Sequence, residues 1–514
     1  MLRFLNSMLS ATNRHVAAHG TRSAEFTTTV GLPQGAVLSP LLYAIFINAL
    51  VDDLKARKLG VNVFGRKVGI LLYADDIVLI AESAEELQEM LDCTSQYATR
   101  WQFRFNTKAG KSDVVVMPPD AAGDHQFRMG DGLLHVSEQY KYLGVEMGPT
   151  GQGCWNSYLE RARRKAMGAM HSLTFSVVDG SKPLWVSTAA HLFKTLVRPI
   201  LEYGGAMYGP MCSDAALATL ERVQVIFGRR VLHMQQCIPG EYIRRELGLE
   251  SMKERVLIAS MRFFGHLAGM PKERLAGHVF RNRCNDVDDN VKLRIHDGRG
   301  NDSWCLRMKE TLIGLGQRKL WNDRAVPKKW TAKTKELAKA ECKALGDAKM
   351  AARDNMQLFN SLGAPSVKGW LNHTVDHPGA ELRFRLRCSG APLMAVVGGN
   401  HKMPMHERTC RMCGEPSIED AEHFVSKCSF YADERRECMQ RLNVAITGEY
   451  SPVFRQAMED NDVKLFLGDE LLLNLPEGKR RTVDRILCDF LKVAWRKRDT
   501  VWAALTERKG WRLR

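Results

Sequence analysis

The sequence of 514 residues contains no uninterrupted run of about 18 apolar residues, the least that a membrane-spanning helix needs. It also has no internal repeat and no low-complexity tract. Cysteine occurs an odd number of times, 13, and without framework spacing, which argues against a secreted disulfide-bonded protein and for a reducing compartment. These absences leave a globular chain that is long enough for three or four domains.

Positive charge, by contrast, is in excess. The formal net charge is +16 and the isoelectric point is about 9.3, which fits a polyanionic partner such as nucleic acid. Hydrophobic residues make up 45% of the chain, enough for a sizeable core. Residues 1–24 hold three arginines and no acid, a composition similar to a mitochondrial transit peptide, although the segment fits better as part of a folded domain.

An adjacent pair of aspartates, Asp75 and Asp76, lies between two apolar runs within residues 69–81. Each run has the length of a buried strand and is rich in Leu, Ile and Val. The pattern predicts a hairpin whose arms lie in a core and whose tip carries both acids. A divalent cation would neutralise the two charges, and carboxylates are ligands that Mg²⁺ prefers. A polar Asp-Asp turn without metal explains this stretch, taken alone, equally well.

The stretch upstream, Gly31–Pro40, has the composition of a rigid loop that opens a helix. Ser39 is expected to cap the helix, with Pro40 at its first position and an apolar continuation from Leu41 to Leu54. The motifs Gly-Leu-Pro-Gln-Gly…Leu-Ser-Pro and Tyr-Ala-Asp-Asp, in this order and some forty residues apart, closely resemble the palm of reverse transcriptases. Segments farther along the chain are similar to the non-LTR (LINE-type) retrotransposon branch.

This resemblance implies an RNA-directed DNA polymerase that performs two-metal nucleotidyl transfer on an RNA template, a DNA primer and deoxynucleoside triphosphates. It makes Asp75 the principal Mg²⁺ ligand and Asp76 the supporting one. By position it also implies Gln34, Gly35 and Lys111 at the template and nucleotide, and Tyr142, Leu143 and Gly144 at the primer strand. Lys108 is the second candidate for the role of Lys111, and a solvated Lys-rich turn is the alternative to both.

The family's third catalytic carboxylate lies on a strand that precedes the Gly-Leu-Pro-Gln-Gly loop. No acid of this sequence stands in an equivalent setting, because Glu25 follows the family's later segment. The sequence therefore predicts an amino-terminally truncated polymerase that binds primer–template without extending it. The alternative is a catalytically dead, nucleic-acid-binding remnant.

A second constellation consists of Cys410, Cys413, His423 and Cys428, in the spacing C-x₂-C-x₉-H-x₄-C. Two thiolates on a tight turn, followed by His and Cys, can close a tetrahedral zinc site. Four protein ligands leave no open position, so this Zn²⁺ would be structural. The alternatives are four unrelated residues, or Cys438 as a substitute ligand. Residues 383–387 and 419–424 resemble the Cys/His module at the carboxyl end of LINE-type proteins.

The expected fold is α+β: a partial polymerase palm, with an antiparallel sheet and helices, then a mostly helical thumb and connector and a small zinc-binding module. The expected domains are the palm (1–150), a helical thumb-like region (151–275), a charged linker or connector (276–380), the zinc module (381–440) and a basic helical carboxyl-terminal segment (441–514). A Lys-rich helix near 333–349 is interpreted as a solvated connector or a phosphate contact. The carboxyl-terminal tryptophans suit base stacking or inward packing equally. An intracellular protein, nuclear and cytoplasmic, is expected.

Overall fold

The structure is a computed structural model, and it describes residues 3, 12–28, 31–117, 125–147, 152–177, 186–232, 234, 238–290, 303–351, 357–362, 377–400, 402–446 and 452–507. The chain forms two compact units, residues 1–150 and residues 151–514. Short strands in the first unit and helices in both make the fold α+β, as the sequence predicts. Within the described ranges, no helix has the length and apolar character needed to cross a membrane.

The first unit contains two long helices, α1 (Ser39–Ala56) and α2 (Ala84–Arg100). Its strands are β1 (Thr12–Arg14), β2 (Ala17–Ala18), β3 (Thr21–Arg22), β4 (Phe26–Thr28), β5 (Val61–Val63), β6 (Arg66–Val68), β7 (Ile70–Tyr73), β8 (Asp76–Leu79), β9 (Asp113–Val114), β10 (Arg128–Met129), β11 (Gly132–Leu133), β12 (His135–Val136), β13 (Tyr140–Tyr142) and β14 (Val145–Met147). They pair as two-stranded ribbons, all antiparallel except β9 with β12.

Helix α1 begins one residue earlier than the sequence pattern indicates. Leu38, not Ser39, occupies the N-cap position, and no side chain caps the helix. The Ser39 hydroxyl instead donates a hydrogen bond to the Pro33 carbonyl oxygen at 2.6 Å. The expected cap is wrong because this hydroxyl closes the preceding loop.

The stretch Ser83-Ala84-Glu85-Glu86 at the start of helix α2 has the pattern of a capping box, and Ser83 Oγ accepts a hydrogen bond from the Glu86 amide at 3.1 Å. Only half of the capping box forms. The Glu86 carboxylate accepts from the amides of Glu82 and Gly60, each at 2.8 Å, instead of returning to Ser83. Glu86 therefore ties the start of α2 to the chain that follows α1.

The core of the first unit lies between α1, α2 and the β7–β8 hairpin. Its buried members are Ile47, Leu50, Leu54, Leu59, Met90, Cys93 and Tyr97. The hairpin adds Ile70, Leu72, Ile77 and Leu79, which are only partly buried. Leu71 and Tyr73, which point to the other face, are exposed. The prediction that both arms lie inside a core is thus wrong, because one face of this two-stranded ribbon stays uncovered.

A close backbone crossing positions the start of the hairpin. Gly60 has φ +118°, and a Cβ on this residue would lie 2.4 Å from Gly69 Cα. Only glycine fits such a conformation and such an approach without a shift of the backbone.

The second unit is helical. Its helices are α3 (Gln152–Val177), α4 (Val186–Leu192), α5 (Arg198–Glu202), α6 (Gly205–Met211), α7 (Asp214–Val231), α8 (Gly240–Glu246), α9 (Met252–Ala268), α10 (Leu275–Asn290), α11 (Trp304–Gly314), α12 (Arg318–Asp323), α13 (Trp330–Ala351), α14 (Gln357–Ser361), α15 (His377–Arg387), α16 (Met394–Asn400), α17 (Ala432–Ala445), α18 (Pro452–Glu459), α19 (Val463–Leu467), α20 (Glu470–Leu473) and α21 (Glu477–Glu507). The π-helical segments Phe193–Val197 and His423–Lys427, and the 3₁₀ turns Met405–Glu407 and Ser429–Tyr431, complete the described elements.

Residues 276–380 are not a linker over most of their described length. Helices α9 to α13 share one core, with Phe264, Phe280, Met308 and Trp321 almost fully buried. The sequence prediction fails because charged residues cover the outer faces of these helices and mask the apolar spacing beneath them. Within this stretch, the acidic residues up to 290 belong to α10, and residues 291–302 lie outside the described residues.

The predicted zinc module and carboxyl-terminal segment share one core. Helix α21 packs against α15 and α17. A fully buried ion pair joins Arg383 of α15 to Asp484 of α21. Trp502 is 4% exposed, so this tryptophan packs inward, whereas Trp511 lies outside the described residues. The boundary predicted at 440/441 is therefore not a boundary between two packed bodies.

Candidate active site and metal centre

Asp75 and Asp76 lie at the tip of the β7–β8 hairpin. The antiparallel register pairs Tyr73 with Asp76, so Ala74 and Asp75 form a two-residue turn. Ala74 adopts φ 50°, a left-handed conformation that costs a residue with a Cβ about 1–2 kcal/mol. The turn thus places both carboxylates at the end of the ribbon, and the apolar residues of the two arms anchor the ribbon on the core.

Both aspartates are exposed. The idea that burial forces a counter-ion on them is therefore wrong, because solvent reaches both side chains. Among the described residues, no Lys, Arg or His side chain forms an ion pair with either carboxylate. Their oxygens are consequently available to a ligand from outside the protein.

The negative charges of the two carboxylates act on three tyrosines. Burial, followed by the negative charge of Asp75, raises the pKa of Tyr43, which lies in the second turn of α1. Burial, followed by the charge of Asp76, likewise raises the pKa of Tyr140 and Tyr142. Tyr43 and Tyr140 were not among the predicted site residues. The only feature of the sequence that could have indicated Tyr43 as a site residue is its hydroxyl in a mostly apolar helix.

Tyr140 connects the turn that carries Lys111 to this site. Its hydroxyl donates a hydrogen bond to the Lys111 carbonyl oxygen at 2.9 Å. Lys108 and Lys111 belong to one tight turn, closed by the Lys111 amide and the Lys108 carbonyl oxygen at 2.9 Å, and both side chains are exposed. The structure therefore leaves both lysines as candidates for one role.

The predicted primer-binding residues form a hairpin of their own. Tyr142 pairs with Val145, and the turn between them consists of Leu143 (φ 48°) and Gly144 (φ 82°). Positive φ at both central residues is the geometry that favours a tight two-residue hairpin. Gly144 thus supplies a turn conformation.

Gln34 and Gly35 are exposed in the loop before α1, where Gly35 has φ 87°. The described contacts do not join either residue directly to Asp75 or Asp76. The connection is indirect: Tyr43, which feels the charge of Asp75, lies on the helix that this loop opens.

The second unit brings Cys410, Cys413, His423 and Cys428 together. One potential ligand atom from each residue lies within 4.8 Å of the other three. Cys410 Sγ is 3.8 Å from Cys428 Sγ, and Cys413 Sγ is 3.5 Å from His423 Nε2. Zn–S bonds of about 2.3 Å and Zn–N bonds of about 2.0–2.1 Å in a tetrahedron require about 3.8 and 3.5 Å for these two separations. The donor set and its spacing fit zinc.

The backbone around the cluster supports thiolates. Amide groups of Cys413 and Met412 donate to the Cys410 sulfur, and the Phe430 amide donates to the Cys428 sulfur. The contact between the two thiols lowers the pKa of Cys410 and raises that of Cys428, because one keeps the proton that the other releases. Cys438 lies outside the cluster, and burial raises its pKa to about 12.

Comparison with known proteins adds an independent line of evidence. A family model described as "Reverse transcriptase (RNA-dependent DNA polymerase)" matches residues 3–147. The chain is 25% identical over 228 residues to the RNA-directed DNA polymerase from mobile element jockey of Drosophila melanogaster, covering 43% of this chain and 24% of that protein. The jockey polymerase of Drosophila funebris is 28% identical over 244 residues, covering 44% and 24%. The probable RNA-directed DNA polymerase from transposon BS of Drosophila melanogaster is 24% identical over 272 residues, covering 51% and 29%.

Residues 3–147 are thus a reverse transcriptase domain. Beyond the matched domain, the chain is similar to the RNA-directed DNA polymerases of non-LTR mobile elements, in agreement with the resemblance drawn from its motifs. It spans only about a quarter of the length of these relatives.

Proposed function

We propose that the first unit is the palm of an RNA-directed DNA polymerase, with Asp75 and Asp76 as ligands of catalytic Mg²⁺. The observation that carries this proposal is the pair of exposed, unpaired carboxylates on a rigid hairpin tip, inside the matched domain. Carboxylate oxygens are the hard donors that Mg²⁺ takes. When bound, such ions stabilise the attacking and leaving oxygens of an in-line phosphoryl displacement.

The neighbouring residues have roles in positioning. Lys111, or Lys108 on the same turn, offers a positive charge to the triphosphate of an incoming nucleotide. The Tyr142–Gly144 turn holds the primer strand next to Asp76, in agreement with the effect of that carboxylate on Tyr142. Gln34 and Gly35 contact the template or nucleotide from the loop before α1. Residues 151–275 act as the thumb on the product duplex.

We also infer that the cluster of Cys410, Cys413, His423 and Cys428 holds one structural Zn²⁺. Four protein donors at tetrahedral spacing leave no position for a substrate or a reactive water. The cluster is part of a larger packed body, since the neighbouring Glu419 pairs with Arg498 of α21 in the protein interior. The ion would therefore stabilise the carboxyl-terminal body as a whole.

A specific observation supports a second candidate function, a nucleic-acid-binding remnant without catalysis. In the described part of the chain, only the Cys/His cluster brings three or more potential metal ligands within 4.8 Å of one another. Asp75 and Asp76 accordingly have no described third carboxylate beside them, and a two-ion site needs one. We therefore expect this chain to bind an RNA template with a DNA primer and not to extend the primer.

A primer-extension assay with Mg²⁺ and the four deoxynucleoside triphosphates, run beside a binding assay, tests both candidates. We expect binding of primer–template without extension of the primer by this 514-residue chain. Any extension that does occur should be abolished by Asp75→Ala and not by Asp131→Ala, an exposed acid on another turn. Extension by the chain alone that Asp75→Ala abolishes would contradict the missing-ligand argument. Absence of binding at low salt would contradict both functions.

A further inference from the structure

The excess of positive charge in this protein lies in one of its two units. Residues 1–150, which contain the reverse transcriptase domain, hold 14 Lys and Arg against 16 Asp and Glu. Residues 151–514 hold 60 against 42. The whole excess of positive charge therefore belongs to the helical unit. A polyanion attracted to this protein meets its attractive field there and not on the polymerase domain.

Helix α13 (Trp330–Ala351) presents much of this charge on a firm support. Trp330, Thr334 and Ala338 are buried against the core of the second unit. The indole Nε1 of Trp330 donates a hydrogen bond to the Met261 carbonyl oxygen of α9 at 2.9 Å. One side of α13 is thus held in place, which fixes the direction in which its other sides point.

The solvent-facing side carries a row of lysines. Lys335, Lys339 and Lys343 are exposed and follow one another at intervals of four residues, about 6 Å along the helix axis. Lys328 and Lys329, also exposed, precede the first turn. Together these five residues are named the α13 lysine row.

The Glu254 carboxylate of α9 interacts electrostatically with Lys339, but no described ion pair neutralises this row. The described ion pairs of α13 join Lys333 to Glu336 at 3.7 Å and Asp347 to Arg245 at 2.6 Å. Within the described residues, the five members of the α13 lysine row take part in none. The first turn has no acid either, so Lys328 and Lys329 face the positive end of the helix dipole. Positive charge at the amino-terminal end destabilises an isolated helix, and a bound anion would offset this destabilisation.

We propose that the α13 lysine row binds the phosphate backbone of a nucleic acid, independently of its sequence. Evenly spaced ammonium groups match a ligand with regularly repeated negative charge, and a Lys side chain binds phosphate as a point charge. The tryptophan of α13 is buried, so among the described residues this helix offers no tryptophan ring on which a base can stack. The ligand is therefore defined by its phosphates, which a DNA duplex and an RNA strand both supply.

This surface lies outside residues 3–147, and its binding does not depend on polymerisation. It makes the second unit a nucleic-acid-binding body in its own right. The surface also corrects the linker interpretation: the Lys-rich helix is packed on one side and charged on the other.

The test compares the full-length chain with a variant that carries Lys335→Gln, Lys339→Gln and Lys343→Gln. The matched control carries Lys55→Gln, Lys402→Gln and Lys464→Gln, which remove the same charge from exposed positions elsewhere. Fluorescence anisotropy measures the affinity for a blunt DNA duplex and for a single-stranded RNA between 50 and 200 mM salt, about the range in which phosphate contacts dominate.

Loss of three phosphate contacts should reduce the slope of log K against log salt by about 2.7 for the duplex or about 2.1 for the single strand. The advantage of the wild type over the variant should then grow about 40-fold (duplex) or about 18-fold (RNA) as salt falls across this range. The ligand is the nucleic acid whose change reaches the value expected for its own type.

Substitution of the same three lysines by arginine should retain the slope, because the charge is kept. The assay contains no deoxynucleoside triphosphates and measures binding alone, which separates this proposal from the polymerase assignment. The proposal is overturned if the glutamine variant keeps the wild-type slope on both nucleic acids, or if the control loses as much as the variant.

Discussion

Removal of the Arg498 guanidinium should destabilise the second unit more than any loss of a surface charge. Arg498 is 0% exposed and Glu419 is 1% exposed. Arg498 Nε lies 2.7 Å from Glu419 Oε1, and Nη2 lies 3.1 Å from Oε2 and 2.9 Å from the Pro392 carbonyl oxygen. The guanidinium carbon is 5.1 Å from the Trp495 ring centroid and 4.8 Å from that of Trp502.

Arg498→Met keeps an unbranched side chain of similar length but leaves the Glu419 carboxylate buried, with the Met394 amide at 2.8 Å as a remaining donor. Breaking a buried pair in this way costs about 3–5 kcal/mol, most of it the uncompensated charge. The double variant Arg498→Met with Glu419→Leu should recover much of this loss, because no charge is left in the interior.

Denaturant unfolding followed by tryptophan fluorescence is the assay, since nine of the ten tryptophans lie in residues 151–514. Arg436→Met serves as the matched control: its pair with Asp433 leaves 67% and 80% of the two side chains exposed, so stability should hardly change. A loss of less than about 1 kcal/mol for Arg498→Met would refute the reasoning. So would a double variant as unstable as the single one.

Two further outcomes are expected. The purified chain should contain one zinc per molecule. The double variant Cys410→Ser with Cys413→Ser should lose the metal, whereas the control Cys438→Ala should retain it. Zinc that is kept by the serine variant would exclude the site. Gly60→Ala should destabilise the first unit by about 1–3 kcal/mol, because its Cβ would meet the Gly69 backbone at 2.4 Å. Hydrogen exchange over residues 61–79 should show this loss to exceed that of Gly65→Ala, which has positive φ but open space; equal losses would contradict the steric account.

The sequence by itself was sufficient to predict the local structure around the candidate site residues. The Asp75-Asp76 hairpin has two apolar runs of strand length around two polar residues, and few other local structures satisfy that pattern. The Ser83 cap follows from a side chain that reaches an amide three residues away. The Cys/His spacing likewise restricts which side chains can meet, because two of its ligands lie on one tight turn.

Only the tertiary structure decided what surrounds these local features. Exposure of the two aspartates depends on which face of the ribbon α1 and α2 cover, and composition does not encode that choice. The proximity of Tyr43 and Tyr140 to the acids joins residues that are distant in sequence. Helices α10 to α13 look like a charged linker because periodicity reports one face of a helix and not the partner against which that face packs. Arg498, on a helix that composition alone marks as basic and nucleic-acid-binding, is instead buried, because Glu419 lies within reach only after the chain has folded.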